Sequence, residues 1–146
     1  MQLVSTYYSD FMAYMEANAF DKDPHGLYQP VDYIMQLGGK RLRPILLLMG
    51  YRLFHDSHEA ALPLALTVEV FHNFSLVHDD IMDAAPLRRG KPTVHELYDV
   101  NTGILSGDVM LIKCYEYLLK APPALVPALI QTFNEVAIKV CEGQQY

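Results

Sequence analysis

The segment Leu76–Asp83, which reads LVHDDIMD, places three carboxylates within five residues directly after an apolar run. In a helix, Asp79 and Asp83 lie on one face about one turn apart, and Asp80 is rotated by about 100° from Asp79. Like charges near a helix C-terminus are unfavourable unless a cation joins them. Carboxylates on adjacent turns suit Mg²⁺, which takes its remaining ligands from water and phosphate oxygens. We therefore predict that Asp79 and Asp83 bind Mg²⁺.

The same helix carries His72, seven residues before Asp79 and therefore on nearly the same face. His72 and the aspartates then form a polar stripe on an otherwise apolar helix. Two ordinary structural explanations stay open at this point. The aspartates could be a solvated helix end neutralised by Arg88 and Arg89, and His72 could be a core histidine with a hydrogen-bonding partner.

A first basic cluster lies in the segment GGKRLRP, directly before a helix predicted to begin near Pro44. Its cations are Lys40, Arg41 and Arg43. Cations oppose the helix dipole at an N-terminus unless an anion joins them. Flexible glycines, free backbone N–H groups and cations together favour a phosphate site. The alternative is a basic turn paired with surface carboxylates.

A second basic cluster, LRRGKP, returns the chain to the acidic helix end with Arg88, Arg89 and Lys91. The arginine fork suits hydrogen bonding to phosphate oxygens. Cations that follow a helix C-terminus also complement its dipole, so a structural role for Arg89 and Lys91 stays open. Together the two clusters and the aspartates predict a ligand with diphosphate groups and an apolar body.

Apolar residues recur at helical spacing along the chain and predict an all-α fold, a bundle of antiparallel helices joined by short loops. No strand pair is predicted. The helices are expected at Ser5–Phe20, Val31–Leu37, Pro44–Phe54, Glu59–Leu62, Leu64–Asp83, Glu96–Tyr98, Ile104–Lys120 and Pro123–Gln145.

The net charge of −6 argues against a broad nucleic-acid-binding surface. The N-terminal residues do not resemble a signal peptide, so a cytoplasmic location is expected. The longest uninterrupted apolar run, Ile45–Gly50, is too short to span a bilayer, and no stable membrane anchoring is expected. Cys114 and Cys141 lie in apolar helical patterns and are predicted to be reduced core thiols.

Five segments in order resemble the trans-isoprenyl diphosphate synthase (polyprenyl synthetase) family: GGKRLRP, HNFSLVHDDIMD, LRRGKPTVH, GILSGDVML and CEGQQ. They extend from Gly38 to Gln144, and an ordered set of spaced motifs is far more specific than any one of them. The resemblance implies an all-helical homodimer of the isoprenoid synthase type. It also implies that the protein joins isopentenyl diphosphate to an allylic diphosphate.

Roles for individual residues follow from the same resemblance. Positions matching Asp79 and Asp83 bind the Mg²⁺ that bridges the allylic diphosphate, and the position of Arg88 contacts that diphosphate, so these residues form the expected catalytic set. The positions that hold isopentenyl diphosphate are matched by Lys40, Arg43, His72 and Arg89. The allylic cation left by departing pyrophosphate is attacked by the isopentenyl double bond before a proton is lost.

Product length in the family is limited by bulk on the aspartate helix just before the metal-binding motif. Here Phe74 lies five residues before Asp79, with Ser75 beside it. A large ring at that position is expected to form a floor beneath the growing chain. We therefore expect a short product of the farnesyl or geranylgeranyl class.

The family pattern also has a second aspartate-rich motif, which no segment matches. We therefore expect residues 1–146 to be the N-terminal part of one polyprenyl synthetase domain, with the C-terminal half absent and no turnover by this part alone. Two other functions stay open. One is a non-catalytic partner subunit of a heteromeric synthase. The other is an all-helical metal phosphohydrolase with His72, His78 and Asp79 as ligands.

Overall fold

Helices make up nearly all of the regular structure in residues 2–20 and 22–145, which are the residues that the computed structural model describes. Within these ranges, side chains are described from Val4 onward. The helices are α1 (Gln2–Ala17), α2 (His25–Gln36), α3 (Leu42–Arg52), α4 (Leu62–Met82), α5 (Val94–Leu97), α6 (Val100–Leu118) and α7 (Val126–Gln145), with a short 3₁₀ helix at Glu59–Ala61. The predicted all-α helical bundle is confirmed.

Helix α4 lies at the centre of the bundle. It packs along α6 and also contacts α1, α2, α3 and α5. Leu66, Val70 and Val77 are almost fully buried on its inner faces. The stretch Glu59–Met82 is long and apolar enough to cross a membrane, with a mean hydropathy of 1.4, but 44% of that window is buried inside the protein. Its packing against five other helices places α4 in the core of the bundle. This stretch is longer than the apolar run Ile45–Gly50 on which the expectation of no membrane anchoring was based.

The largest difference from the predicted helix boundaries lies at the start of α2. Helix α2 begins at His25 rather than Val31 and contains Pro30. Pro30 is buried with the apolar face of the helix, so its packing compensates for the backbone hydrogen bond that proline cannot donate. Pro44 lies in the first turn of α3, as predicted.

The absence of strands was wrongly predicted. A short antiparallel pair is formed by β1 (Leu87–Arg88) and β2 (Lys91–Pro92). Its loop residues, Arg89 and Gly90, have φ angles of 53° and 76°. Positive φ at both central residues is the requirement of a type I′ hairpin turn. Strands of two residues are too short to show a period of two in the sequence.

Helix α7 packs loosely on the rest of the bundle, and none of its described residues is buried. It docks through Phe133, whose ring meets Phe71 edge-on at 5.1 Å and Tyr115 at 5.3 Å between centroids. Cys114 of α6 is buried as predicted, but Cys141 of α7 is exposed, so the prediction of a core thiol was wrong for Cys141.

Candidate functional site

The last turn of α4 presents Asp79 and Asp83 together. The backbone N–H of Asp83 donates to the carbonyl of Asp79 at 2.9 Å, which keeps this turn helical and leaves both side chains on one face. Asp83 is exposed, and one oxygen of Asp79 accepts a hydrogen bond of 2.5 Å from Gln144 of α7. Gln144 belongs to the CEGQQ segment, and no role for it was predicted from the sequence.

These carboxylates are hard oxygen donors of the kind that Mg²⁺ accepts, and both are at least partly exposed. Among the described residues, no group of three or more His, Cys, Asp or Glu side chains could hold a metal ion by itself. Asp79 and Asp83 therefore fit a magnesium site that is completed by oxygen atoms of a bound diphosphate and water.

Asp80 has a different environment from its two neighbours. Its side chain is 3% exposed and receives both arms of the Arg88 fork, with Nε–Oδ2 and Nη2–Oδ1 distances of 2.8 Å. This hydrogen bonding raises the pKa of Arg88. The same guanidinium lies 3.9 Å from a carboxylate oxygen of Asp79. Asp80 therefore fixes Arg88 beside the predicted metal ligands, a role that the sequence analysis did not assign.

His72 and Arg43 meet on the other side of this region. Arg43 Nη1 lies 3.2 Å from His72 Nε2, and because a guanidinium can only donate, Nε2 is the acceptor. Burial, followed by the charge of Arg43, lowers the pKa of His72. Lys40 is exposed two residues after Gly38. The structure thus brings His72 and Arg43 into contact.

The loop between α2 and α3 holds Arg89. Gly38 and Gly39 have φ angles of 82° and 129°, which other residues rarely adopt. Arg89 donates to the carbonyl of Gly38, and a Cβ atom on Gly39 would lie 3.0 Å from the guanidinium carbon of Arg89. The paired glycines thus allow the arginine to pack directly on the loop backbone.

Arg41 does not face a phosphate site, contrary to the prediction for the first basic cluster. It is 4% exposed and forms an ion pair with Glu69 of α4, whose side chain is equally buried. Its other terminal nitrogen donates to the carbonyl of Met35 at the end of α2. Arg41 therefore turns inward, while Lys40 and Arg43 stay exposed.

The hairpin sends two consecutive arginines in different directions. Arg88, in β1, reaches Asp80 and Asp79, whereas Arg89, in the turn, reaches Gly38. Both arginines contribute to the lowered pKa of His72, so all these charges share one region at the end of α4. The predicted basic residues are thereby divided into an aspartate side and a histidine side.

An apolar cavity of about 260 Å³ lies next to the aspartates, between α4 and α7. Its lining includes Phe71, Phe74, Ser75, His78, Met82 and Cys141. The Phe74 ring meets His78 edge-on at 4.8 Å between centroids. Phe74 and Ser75 therefore border a cavity, as the floor hypothesis requires, and Gln144 lies both in its wall and against Asp79.

The ligand set of the phosphohydrolase alternative is not brought together. His72 Nε2 contacts Arg43, whereas His78 Nε2 lies 3.2 Å from the backbone carbonyl of Ile104 on α6. The imidazoles of His72 and His78 therefore contact different groups and do not share a ligand position.

Comparison with known proteins identifies the family. The polyprenyl synthetase family pattern matches residues 24–146. The chain belongs to the polyprenyl synthetase family. It is similar to a geranylgeranyl pyrophosphate synthase of Geoglobus acetivorans, with 38% identity over 126 residues, 85% of this chain and 40% of the relative. A short chain isoprenyl diphosphate synthase of Methanocaldococcus jannaschii is 40% identical over 125 residues, 85% of this chain and 38% of the relative.

Solved structures of this polyprenyl synthetase fold superpose closely. A crystal structure of a geranylgeranyl pyrophosphate synthase has a TM-score of 0.94 at 48% identity and covers 97% of this chain and 43% of that one. The geranylgeranyl pyrophosphate synthetase of Geoglobus acetivorans has a TM-score of 0.93 at 33% identity, with 97% and 47% covered. The chain spans about 40% of the length of the curated relatives it matches.

Proposed function

We propose that this chain forms the diphosphate-binding part of a Mg²⁺-dependent prenyltransferase that condenses isopentenyl diphosphate with an allylic diphosphate. The observation that carries the proposal is the division of Arg88 and Arg89 between the aspartates and the glycine loop. Such a division suits two anionic substrates held side by side. Relatives named geranylgeranyl and short chain isoprenyl diphosphate synthases support the reaction class.

The aspartate side is the proposed allylic diphosphate site. Asp79 and Asp83 would hold Mg²⁺, and Arg88 would donate to the same diphosphate. Bound Mg²⁺ neutralises the charge that develops on departing pyrophosphate. The fork of Arg88, already oriented by Asp80, adds a fixed positive charge at the same place. Little reorganisation is then needed as the carbon–oxygen bond breaks.

The histidine side is the proposed site of isopentenyl diphosphate. Arg43, Arg89 and the exposed Lys40 supply positive charge without an aspartate among them, so an anion can bind here without metal. His72 has a lowered pKa and accepts from Arg43, so it orients this guanidinium while remaining neutral near pH 7. We propose these four residues as its ligands.

The cavity beside Phe74 is the proposed space for the apolar chain. The cavity has a volume of about 260 Å³, and its aromatic side chains would obstruct a prenyl chain that extends from Asp79. We propose a short product of the farnesyl or geranylgeranyl class, with Phe74 as the floor and Ser75 beside it.

Calorimetric titration of residues 1–146 with inorganic pyrophosphate tests the two sites separately. In excess Mg²⁺, Asp79→Asn with Asp83→Asn is expected to abolish the metal-dependent binding. In EDTA, Arg89→Gln is expected to weaken the metal-independent binding. Asp108→Asn, at an exposed carboxylate on α6, is the control and should change neither. Binding that survives the double aspartate substitution would refute the metal assignment.

We further propose that residues 1–146 do not turn over alone, because one pair of carboxylates cannot easily organise several Mg²⁺ ions around a diphosphate. Incubation with labelled isopentenyl diphosphate, an allylic diphosphate and Mg²⁺ should then give no extractable prenyl product. Assembly as a homodimer and a cytoplasmic location are likewise proposals. Sedimentation velocity and cell fractionation test them.

A further inference from the structure

Arg41 connects three helices although none of its contacts lies on the exposed side of the site. Its backbone carbonyl accepts from Ile45 N–H at 3.2 Å and so begins α3. Its guanidinium donates to the carbonyl of Met35, which belongs to the last turn of α2 and lacks a helical partner. It also pairs with Glu69 of α4. The residue Arg41 therefore connects the end of α2, the start of α3 and the middle of α4.

The Glu69 carboxylate continues the network along α4. The amide of Asn73 donates to the carboxylate of Glu69 at 3.1 Å and to its backbone carbonyl at 2.8 Å. Asn73 is the residue directly after His72. The buried network thus ends at the residue that follows His72 in the chain, whose imidazole contacts Arg43.

This network is a poor source of stability. Arg41 has a φ angle of 49°, a left-handed conformation that is strained for a residue with a side chain. Arg41 Nε and Asn73 Oδ1 are buried without hydrogen-bond partners among the described residues. Buried ion pairs are often no more stabilising than apolar residues of similar size. A backbone strain and two unsatisfied polar atoms at one place point to a functional constraint.

We propose that Arg41 and Glu69 are positioning residues for the metal-independent anion site, an inference that rests on the proposed function. Arg41 is directed inward, whereas its neighbours Lys40 and Arg43 are exposed and Arg43 contacts His72. The left-handed backbone conformation of Arg41 turns its side chain inward, and the ion pair with Glu69 fixes that side chain. Neither Arg41 nor Glu69 touches the ligand.

The test uses residues 1–146 and inorganic pyrophosphate as the probe, titrated by calorimetry in EDTA and in excess Mg²⁺. The double variant Arg41→Met/Glu69→Leu removes both buried charges at once, so neither charge is left unpaired. The carbonyl of Met35 and one hydrogen bond of the Asn73 amide lose their partner. We expect binding in EDTA to weaken by about tenfold, corresponding to the loss of one charge-assisted hydrogen bond. Binding in Mg²⁺ at the aspartates and the unfolding temperature should be retained.

Arg52→Met is the matched control, because it removes an arginine from the last turn of the same helix α3. It should leave binding unchanged in both titrations. Unchanged binding of the double variant in EDTA would overturn the positioning role and leave the proposed function intact. Equal weakening in both titrations would also overturn it, in favour of a general structural role.

If the double variant loses its helical circular dichroism, Glu69→Gln replaces it, since an amide keeps the shape and the acceptor while removing the charge. Several-fold weaker binding in EDTA alone then supports the proposal, and unchanged binding overturns it. Failure of the unsubstituted chain to bind pyrophosphate in EDTA would refute the proposed function of this site and the inference with it.

Discussion

Arg88 forms two hydrogen bonds of 2.8 Å with the buried carboxylate of Asp80, so the second aspartate of the DDIMD segment holds an arginine rather than facing the site. Asp79 and Asp83 project from the exposed face of the same turn, and Arg88 lies between the two environments. The acidic segment therefore separates into two predicted metal ligands and one arginine anchor.

Asp80→Asn should lower the free energy of unfolding by about 1.5–3 kcal/mol, because hydrogen bonds to a charged partner are lost in a mostly buried place. Mg²⁺-dependent pyrophosphate binding should also weaken, since Arg88 is no longer held. Urea unfolding and calorimetry measure the two effects. Asp108→Asn, whose carboxylate is 62% exposed, should change the unfolding energy little. Equal stability of both variants would contradict the anchoring role.

His72 should titrate below its ordinary pKa of 6.5, chiefly because of burial and also because of Arg43. The unfolded chain then binds this proton at a higher pH than the folded chain, so stability should fall as the pH drops through 6.5. Histidine ring signals in NMR report the pKa directly. Arg43→Gln should raise it only in part, because burial remains, whereas Arg52→Gln should leave it unchanged. A pKa at or above 6.5 would contradict the geometry.

Phe74→Ala should open the apolar cavity, since the ring of Phe74 lies 5.7 Å from Phe71 and 4.8 Å from His78 between centroids. Residues 1–146 should then bind longer prenyl diphosphates relatively more tightly, and a complete synthase carrying the substitution should release longer products. Phe54→Ala is the control, because Phe54 is 84% exposed and is not part of the cavity lining. An unchanged preference after Phe74→Ala would rule out the floor.

The two cysteines should react at very different rates with a thiol reagent. Burial raises the pKa of Cys114 to about 12, whereas Cys141 is exposed at the edge of the apolar cavity. Ellman's reagent should therefore modify one thiol quickly, and Cys141→Ser should remove that fast reaction. Adding geranylgeranyl diphosphate with Mg²⁺ should slow the reaction of Cys141 if the prenyl chain enters this cavity. Two fast thiols in the folded chain would disagree with the structure.

Two glycine-to-alanine substitutions should have opposite effects on stability. A Cβ atom on Gly107 would lie 2.2 Å from His78 Nε2, so Gly107→Ala should displace the imidazole and destabilise the fold by about 1–3 kcal/mol. Gly143 in α7 has no atom within 4 Å of such a position, and Gly143→Ala should stabilise the helix by about 0.5–1 kcal/mol. Thermal unfolding distinguishes the two, and equal effects would contradict the close packing of Gly107.

Local periodicity explains which parts of the site could be predicted. Asp79 and Asp83 share a face because four residues make about one helical turn, and that relation needs no knowledge of the rest of the fold. The helical architecture follows in the same way from the spacing of apolar residues. The resemblance to a known family implied that Arg43 and His72 hold the same substrate, but no direct contact between the two side chains was predicted.

The unpredicted parts depend on partners that are distant in sequence. The inward turn of Arg41 requires Glu69, which lies 28 residues away on another helix. The hairpin at Arg88 is too short to leave an alternating pattern, and its tight turn depends on positive φ at Arg89. Asp80 was identified as rotated from its neighbours, but its burial could not be known before α4 was placed in the bundle.

The hairpin turn consists of two residues, Arg89 and Gly90, which is the shortest common length for a hairpin loop. In so short a loop, adding or deleting one amino acid would reverse which side of the ribbon each following side chain faces. The two arginines are consecutive, and a residue inserted between them would change which side chain reaches Asp80 and which reaches Gly38. Variation within this segment should therefore be found as substitutions and almost never as a change in its length.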